Sequence, residues 1–250
     1  MSNQISRKGK NMIAIASGKS GAGKTWFAIT LAQALSGFKQ KTLFFDGDLG
    51  LANINIQLGL QLQNDIGEVI KGSQTLNQII HKTNKVNFDI ISGRSTSANL
   101  DSMPIGRLQL IGGDLALLAA GYDKIILDLG SGTPARIFAG QAAKVLILCT
   151  DEKASLEEAF AFIRVMHNHY PNSDLQIIIN QAIDIRDGQR TYETLLKACR
   201  DFLKISPPLL GIIRRDARVR DAIRSQTPLL TRYLTSEAAE DVLNIARKLV

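Results

Sequence analysis

The 250-residue chain predicts an α/β fold, a doubly wound and mostly parallel sheet flanked by helices. Three observations carry that prediction. Seven short runs are apolar at nearly every position, helical patterns separate most of them, and a glycine-rich stretch ending in Lys-Thr lies between the first run and the first helical pattern. Runs that are apolar throughout read as strands buried on both faces, which is the condition of a parallel sheet covered by helices.

In chain order, the first strand is "MIAIAS" (12–17), followed by a helical pattern over 25–37 and a second strand, "KTLFFD" (41–46). The stretch 59–86, rich in Gln, Asn, Lys and Ile, reads as short helices with loops. "FDIIS" (88–92) is the third strand, and a helix over 104–120 leads to "KIILDL" (124–129). "KVLILCT" (144–150), a helix over 154–168, "LQIIIN" (175–180), a helix over 188–204, "LLGII" (209–213) and a helix over 235–249 complete the set. The helical patterns fit right-handed crossovers between parallel strands.

With 45% hydrophobic and 21% charged residues, the chain can bury one substantial core. The expected organisation is a flexible, basic tail over 1–11 and a single domain over 12–250. The two cysteines, Cys149 and Cys199, form no C-x-x-C pair, so neither a disulfide framework nor an iron–sulfur or zinc site is implied. The apolar run from Met12 to Ala16 is far shorter than a signal-peptide core or a membrane span, and a cytoplasmic location is expected. The formal net charge of +7 permits attraction to nucleic acid or anionic lipid without requiring either.

Gly18-Lys19-Ser20-Gly21-Ala22-Gly23-Lys24-Thr25 matches G-x-x-x-x-G-K-[ST] after a strand and before a helix. In that context backbone N–H groups cradle phosphates, Lys24 reaches the β/γ-phosphates of ATP, and the Thr25 hydroxyl binds Mg²⁺. The amides from Gly18 to Trp26 make up the rest of the expected nucleotide contact. Lys19 is surplus to this geometry, and its plain reading is a solvated loop lysine.

The order Gly18-Lys19-x-Gly21-x-Gly23-Lys24-Thr25 resembles the deviant Walker A motif of the MinD/ParA family, the MinD-like class of P-loop NTPases. The resemblance implies an ATPase that dimerises around two ATP–Mg²⁺, with Lys19 crossing the interface to the partner's nucleotide. Ser20 departs from the glycine usual in that family. "DGDLGLANINIQLGL" (46–60) resembles the first switch of MinD and, more closely, of FlhG (YlxH/FleN-like) flagellar-number regulators. By that resemblance Asp48 orients the attacking water, Asp46 supports the Mg²⁺ site and Asn53 belongs to the switch, while Asn55 replaces a common aspartate. The plain reading of Asp48 is a helix cap.

"KIILDLGSG" places Asp128 at a strand end as a Walker B carboxylate for the metal site, with Gly130 and Gly132 in the loop after it. "TDEKASLEEAFAFI" (150–163) resembles a family segment assigned to fold and switch surroundings. Asn180 ends a strand where the family's asparagine reads adenine; its local alternative is loop capping. Arg214 and Arg215 are candidates for the adenine side, at the head of an arginine-rich stretch in which Asp216 caps a short helix and Arg220 and Arg224 share one face. A solvated helix face, a DNA patch and a partner patch are the readings of those arginines.

The last helix places Ala238, Val242, Ile245 and Leu249 on one face and reads as core packing, so membrane anchoring is disfavoured. The resemblance implies partners of three kinds: a second copy of the chain, a FlhF-like GTPase, and a flagellar basal-body or regulatory protein, with recruitment to a pole or membrane through such a partner. A ParA-like DNA partitioner, a MinD-like division-site regulator and a metabolic ligase of the dethiobiotin-synthetase type are the alternatives.

Overall fold

The computed structural model describes residues 9–17, 19–48, 54–93 and 103–250. All seven expected strands form. They are β1 (Gly9–Ser17), β2 (Thr42–Gly47), β3 (Asp89–Ile91), β4 (Lys124–Leu129), β5 (Ala142–Cys149), β6 (Asp174–Ala182) and β7 (Leu209–Arg214). β1 begins at Gly9, three positions before its expected start at Met12, because Gly9 already pairs with Ala142 at the foot of β5.

The helices are α1 (Lys24–Gly37), α2 (Ile54–Leu58), α3 (Ile66–Lys71), α4 (Ile105–Leu118), α5 (Gly132–Gln141), α6 (Lys153–His169), α7 (Ile185–Ala198), α8 (Ala217–Arg224), α9 (Leu229–Arg232) and α10 (Glu237–Arg247). α5 was not expected. Its sequence, GTPARIFAGQ, carries Gly, Thr and Pro in the first turn, where proline is tolerated but the apolar pattern is hidden. α7 starts three residues before its expected position because the Asp184 side chain caps it by accepting the Asp187 N–H at 2.8 Å. Its expected end at 204 divides into the α-helix and a π-helical turn, Cys199–Leu203.

The sheet order is β3-β2-β4-β1-β5-β6-β7, and every neighbouring pair is parallel. Side chains alternate across each strand, so the sheet carries two cores. Met12, Ala14, Leu43, Phe45, Leu127 and Ile147 face α4, α5, α6 and α7. Ile13, Ile15, Phe44, Ile126, Leu148 and Ile178 face α1 and the C-terminal helices. α10 buries Ala238, Ala239, Val242, Ile245 and Ala246 in that second core, as expected of a packing helix. Among the described residues no helix is long and apolar enough to cross a membrane.

β1 lies between β4 and β5, and the chain winds outward from it in both directions. Where winding reverses, the loops at the carboxyl ends of the strands diverge and leave a crevice, the place where open α/β sheets hold ligands. The glycine-rich loop leaves β1 at this point.

Candidate functional site

Ser17, at the end of β1, folds the chain back by donating its Oγ to Lys19 O at 3.1 Å. Gly21 and Gly23 follow with φ of +84° and +88°, a left-handed conformation that side chains disfavour. Gly23 caps α1 with no side-chain hydrogen bond, so the first-turn amides of α1 stay available to an anion. Asn180, at the end of β6 and buried, donates its Nδ2 to Ala22 O at 2.7 Å, and Gln181 Nε2 reaches Gly21 O at 3.5 Å. A methyl group on Gly23 would lie 2.5 Å from Asn180 Nδ2. The loop is thus moulded by its own backbone and clamped from below by β6. Ser20 stands exposed at its tip, and Gly18 and Asn53 lie outside the described residues.

The two lysines of the loop have different fates. Lys24, at the start of α1, points inward: its Nζ lies 3.1 Å from Asp128 Oδ1 and 3.6 Å from Asp48 Oδ2. Lys19 remains 40% exposed and pairs with Glu152, the residue before α6, which raises its pKa. Glu152 lay in the segment read only as switch surroundings. The signal that could have found it is an acid following a strand end on the sheet's ligand side.

The carboxylates are positioned by sheet register. Asp46 on β2 and Asp128 on β4 are Cα partners in the parallel ladder, and both are fully buried. Burial, reinforced by the Asp128 charge, pushes Asp46 up to about 8. Burial also raises Asp128, against the opposing pull of Lys24 and the Thr25 hydroxyl. Asp46 is fixed by the backbone N–H groups of Asp48, at 3.3 Å, and Ile54, at 3.5 Å. Asp48 follows the strand and is partly exposed; Gly130 lets it approach, since a methyl there would lie 3.1 Å from Asp48 Oδ1.

Asp128 Oδ2 is buried and, among the described residues, has no hydrogen-bond partner. An orphaned, desolvated carboxylate oxygen beside the Thr25 hydroxyl and a left-handed glycine loop fits a divalent cation bound with a nucleotide. Among the described residues no group of three His, Cys, Asp or Glu forms a metal cage. That suits Mg²⁺, which takes one or two protein oxygens and completes its shell with water and phosphate.

The side chains of Arg214 and Trp26 make contacts within the fold. The Arg214 guanidinium donates to Asp241 Oδ2 and Oδ1, each at 2.9 Å, to Glu237 Oε1 at 2.6 Å and to Glu237 O at 3.5 Å. The Arg214 fork thus ties β7 to α10. The Trp26 side chain turns away from the loop into the core with α2 and α9, leaving only its backbone to the site. Asn180 is at the loop, with its amide nitrogen committed to Ala22.

Comparison with known proteins follows the same lines. A family model described as the CobQ/CobB/MinD/ParA nucleotide binding domain matches residues 13–229. The antiactivator FleN of Pseudomonas aeruginosa is 26% identical over 239 residues, covering 95% of this chain and 85% of the relative. The flagellum site-determining protein YlxH of Helicobacter pylori is 28% identical over 225 residues, covering 86% and 73%. The septum site-determining protein MinD of Neisseria meningitidis is 25% identical over 247 residues, covering 93% and 89%. In structure, the MinD of Pyrococcus horikoshii complexed with Mg-ADP superposes with a TM-score of 0.78 at 22% identity, covering 96% and 95%. Matched by that family model over most of its length, the chain belongs to the CobQ/CobB/MinD/ParA nucleotide-binding family, as a P-loop ATPase of the MinD/ParA kind.

Proposed function

We propose that this ATPase is a dimerising switch that regulates the number or placement of flagella. The observation that carries the switch is the opposite disposition of the two loop lysines. Lys24 is enclosed by Asp128 and Asp48, whereas Lys19 lies at the surface and, among the described residues, pairs with Glu152. A surface lysine beside a phosphate loop is placed to reach a nucleotide bound by a second copy. Such a contact gives the dimer a different affinity for ATP than for ADP, which is what a nucleotide switch requires.

In this reading Lys24, the partner's Lys19 and the loop amides stabilise charge spreading over the γ-phosphoryl oxygens, and Asp48 aligns the attacking water. Thr25, Asp128 and, through the shell around them, Asp46 would hold Mg²⁺, which would neutralise phosphate charge. Asn180 would offer its carbonyl oxygen to the adenine amine.

The flagellar process is supported by the similarity to FleN and YlxH and by the run Asp46-Gly47-Asp48-Leu49-Gly50-Leu51-Ala52-Asn53-Ile54. A FlhF-like GTPase or a flagellar basal-body or regulatory protein is the partner this reading calls for. Deleting the gene from its host and counting flagella per cell tests it. Altered number or placement, restored by the wild-type gene and not by Lys19→Ala, is the expected result; unchanged flagellation refutes the process.

One observation favours a second reading, ParA-like DNA partitioning. Arg215, Arg218 and Arg220 are exposed on and before α8, and no ion pair engages them among the described residues. A ParA family protein of the Chlamydia psittaci virulence plasmid, pGP5-D, is 28% identical over 256 residues. ATP-dependent binding to nonspecific DNA that weakens steeply with salt would support this reading over the flagellar one.

A further inference from the structure

We propose that the outward face of α4 is a self-association surface, on which the α4 helices of two copies of this chain pack antiparallel. α4 turns Leu108, Ile111, Gly112 and Leu115 into the core. Its other side carries Gly106, Leu110, Gly113 and Leu117, all exposed and spaced by four, three and four positions, which aligns them in one stripe. Leu110 is 71% exposed and Leu117 66%. Glycine inside a helix destabilises it relative to alanine, so each one calls for a reason. Gly112 has its reason within the chain, since a methyl there would lie 1.5 Å from Gln141 Oε1. At Gly106 and Gly113 a methyl would meet nothing within 4 Å, so among the described residues no neighbour asks for glycine.

The occupant that fits is a second copy. A two-fold axis crossing α4 between Ile111 and Gly112 sets Leu110 of each copy against Gly113 of the other, and Leu117 against Gly106. Every knob then meets a notch, and the helices approach closely. The charges match under the same symmetry. Arg107 and Asp114, seven positions apart, are exposed on one edge of the stripe, and neither is in an ion pair among the described residues. Arg107, which also donates to Ile70 O, is offset from Asp114 of the other copy by two residues, about 3 Å along the axis and within its reach. A lipid surface asks instead for a basic border, whereas this one carries one base and one acid. α4 packs on one face of the sheet while the phosphate loop lies at the carboxyl ends of the strands, so the contact leaves the nucleotide crevice free. One helix of 14 residues, about 21 Å long, buries less than the roughly 800 Å² per partner of a standard interface, so a Kd on the order of 0.1 mM is expected.

The inference goes beyond the proposed function and does not depend on it, so the test is sedimentation velocity in Mg–ADP, at concentrations up to about 1 mM, above those of gel filtration. The wild-type sedimentation coefficient should rise with concentration, and Leu110→Lys should weaken association at least roughly tenfold. Gly113→Ala fills a notch and should weaken it about tenfold, while better helix propensity raises the Tm by about 2–4 °C. Arg107→Asp and Asp114→Arg should each associate poorly alone, yet associate when mixed, because the two-fold then pairs Asp with Arg at both ends. A wild type that stays monomeric, a Gly113→Ala or Leu110→Lys protein that associates like wild type, or a mixture no better than its components would overturn the proposal. Should Arg107→Asp fail to fold, the more stable Gly113→Ala decides. Monomeric wild type that co-sediments with phosphatidylglycerol vesicles, and loses this with Leu110→Lys, would give the face to lipid and overturn it too.

Discussion

Gly23 and Gly21 share a left-handed backbone but not a neighbourhood, and the difference predicts how firmly β6 clamps the phosphate loop. Around Gly21, φ +84°, a methyl group would meet nothing within 4 Å. Gly21→Ala therefore costs only the backbone penalty, about 1–2 kcal/mol. At Gly23, φ +88°, the methyl would lie 2.5 Å from Asn180 Nδ2, which must move off Ala22 O. Asn180 is 3% exposed, so losing that bond leaves a buried amide unpaired and adds about 1–3 kcal/mol. The total for Gly23→Ala is thus about 2–5 kcal/mol, measurable by urea unfolding. In an Asn180→Ala background the excess should vanish, and the coupling between the two sites should be about 2 kcal/mol. Equal costs for the two glycines, or additivity of Gly23→Ala with Asn180→Ala, would refute the clamp.

Further outcomes follow from burial and charge. Asp46 has a folded pKa raised from 3.8 to about 8, so the folded state holds a proton that the unfolded chain releases. This contribution is full below pH 3.8 and is lost as the pH rises to about 8, at a slope of up to about 1.4 kcal/mol per pH unit. The stability of Asp46→Asn relative to nucleotide-free wild type should therefore increase from pH 5 to pH 8; a difference independent of pH contradicts the buried pair. Arg214→Ala should destabilise by about 3 kcal/mol, because Asp241, 8% exposed, loses its bidentate partner, and Arg214→Lys should recover little of it. Chemical denaturation decides between that result and a surface-like loss below about 0.5 kcal/mol. Trp26 is the sole tryptophan, 6% exposed, and follows directly on Thr25; among the described residues nothing pairs its indole N–H. Its emission should be that of an indole shielded from water, resist iodide quenching, and change on addition of ATP; ready quenching would place it elsewhere.

The sheet was legible because its strands are apolar at successive positions, as in "IIL" before Asp128 and "LILC" before Thr150, a pattern that only two-sided burial demands. The loop was legible because Gly21 and Gly23 answer a backbone requirement that is local. α5 was not, since Gly132, Thr133 and Pro134 argue for a turn while Ile137 and Phe138 find their core only in three dimensions. α8 was foreseen through Asp216, whose carboxylate accepts the Arg218 N–H at 2.9 Å, a contact between near neighbours. Arg214 shows the limit of such reasoning. Its acceptors, Glu237 and Asp241, lie more than twenty positions away on another element, and no local pattern distinguishes an arginine bound for an ion pair from one bound for a ligand. The same holds for Lys19, whose acid, Glu152, is brought to it by the neighbouring strand β5.

The central claim is that Lys19 serves a nucleotide across a dimer. Light scattering after gel filtration of Asp48→Ala, in which loss of the water-aligning carboxylate should block hydrolysis, tests it most directly. The predicted result is a dimer with ATP–Mg²⁺, a monomer with ADP, and a monomer in both once Lys19→Ala is added. A monomer in ATP with binding confirmed, or a dimer that survives Lys19→Ala undiminished, would contradict the role given to the second lysine.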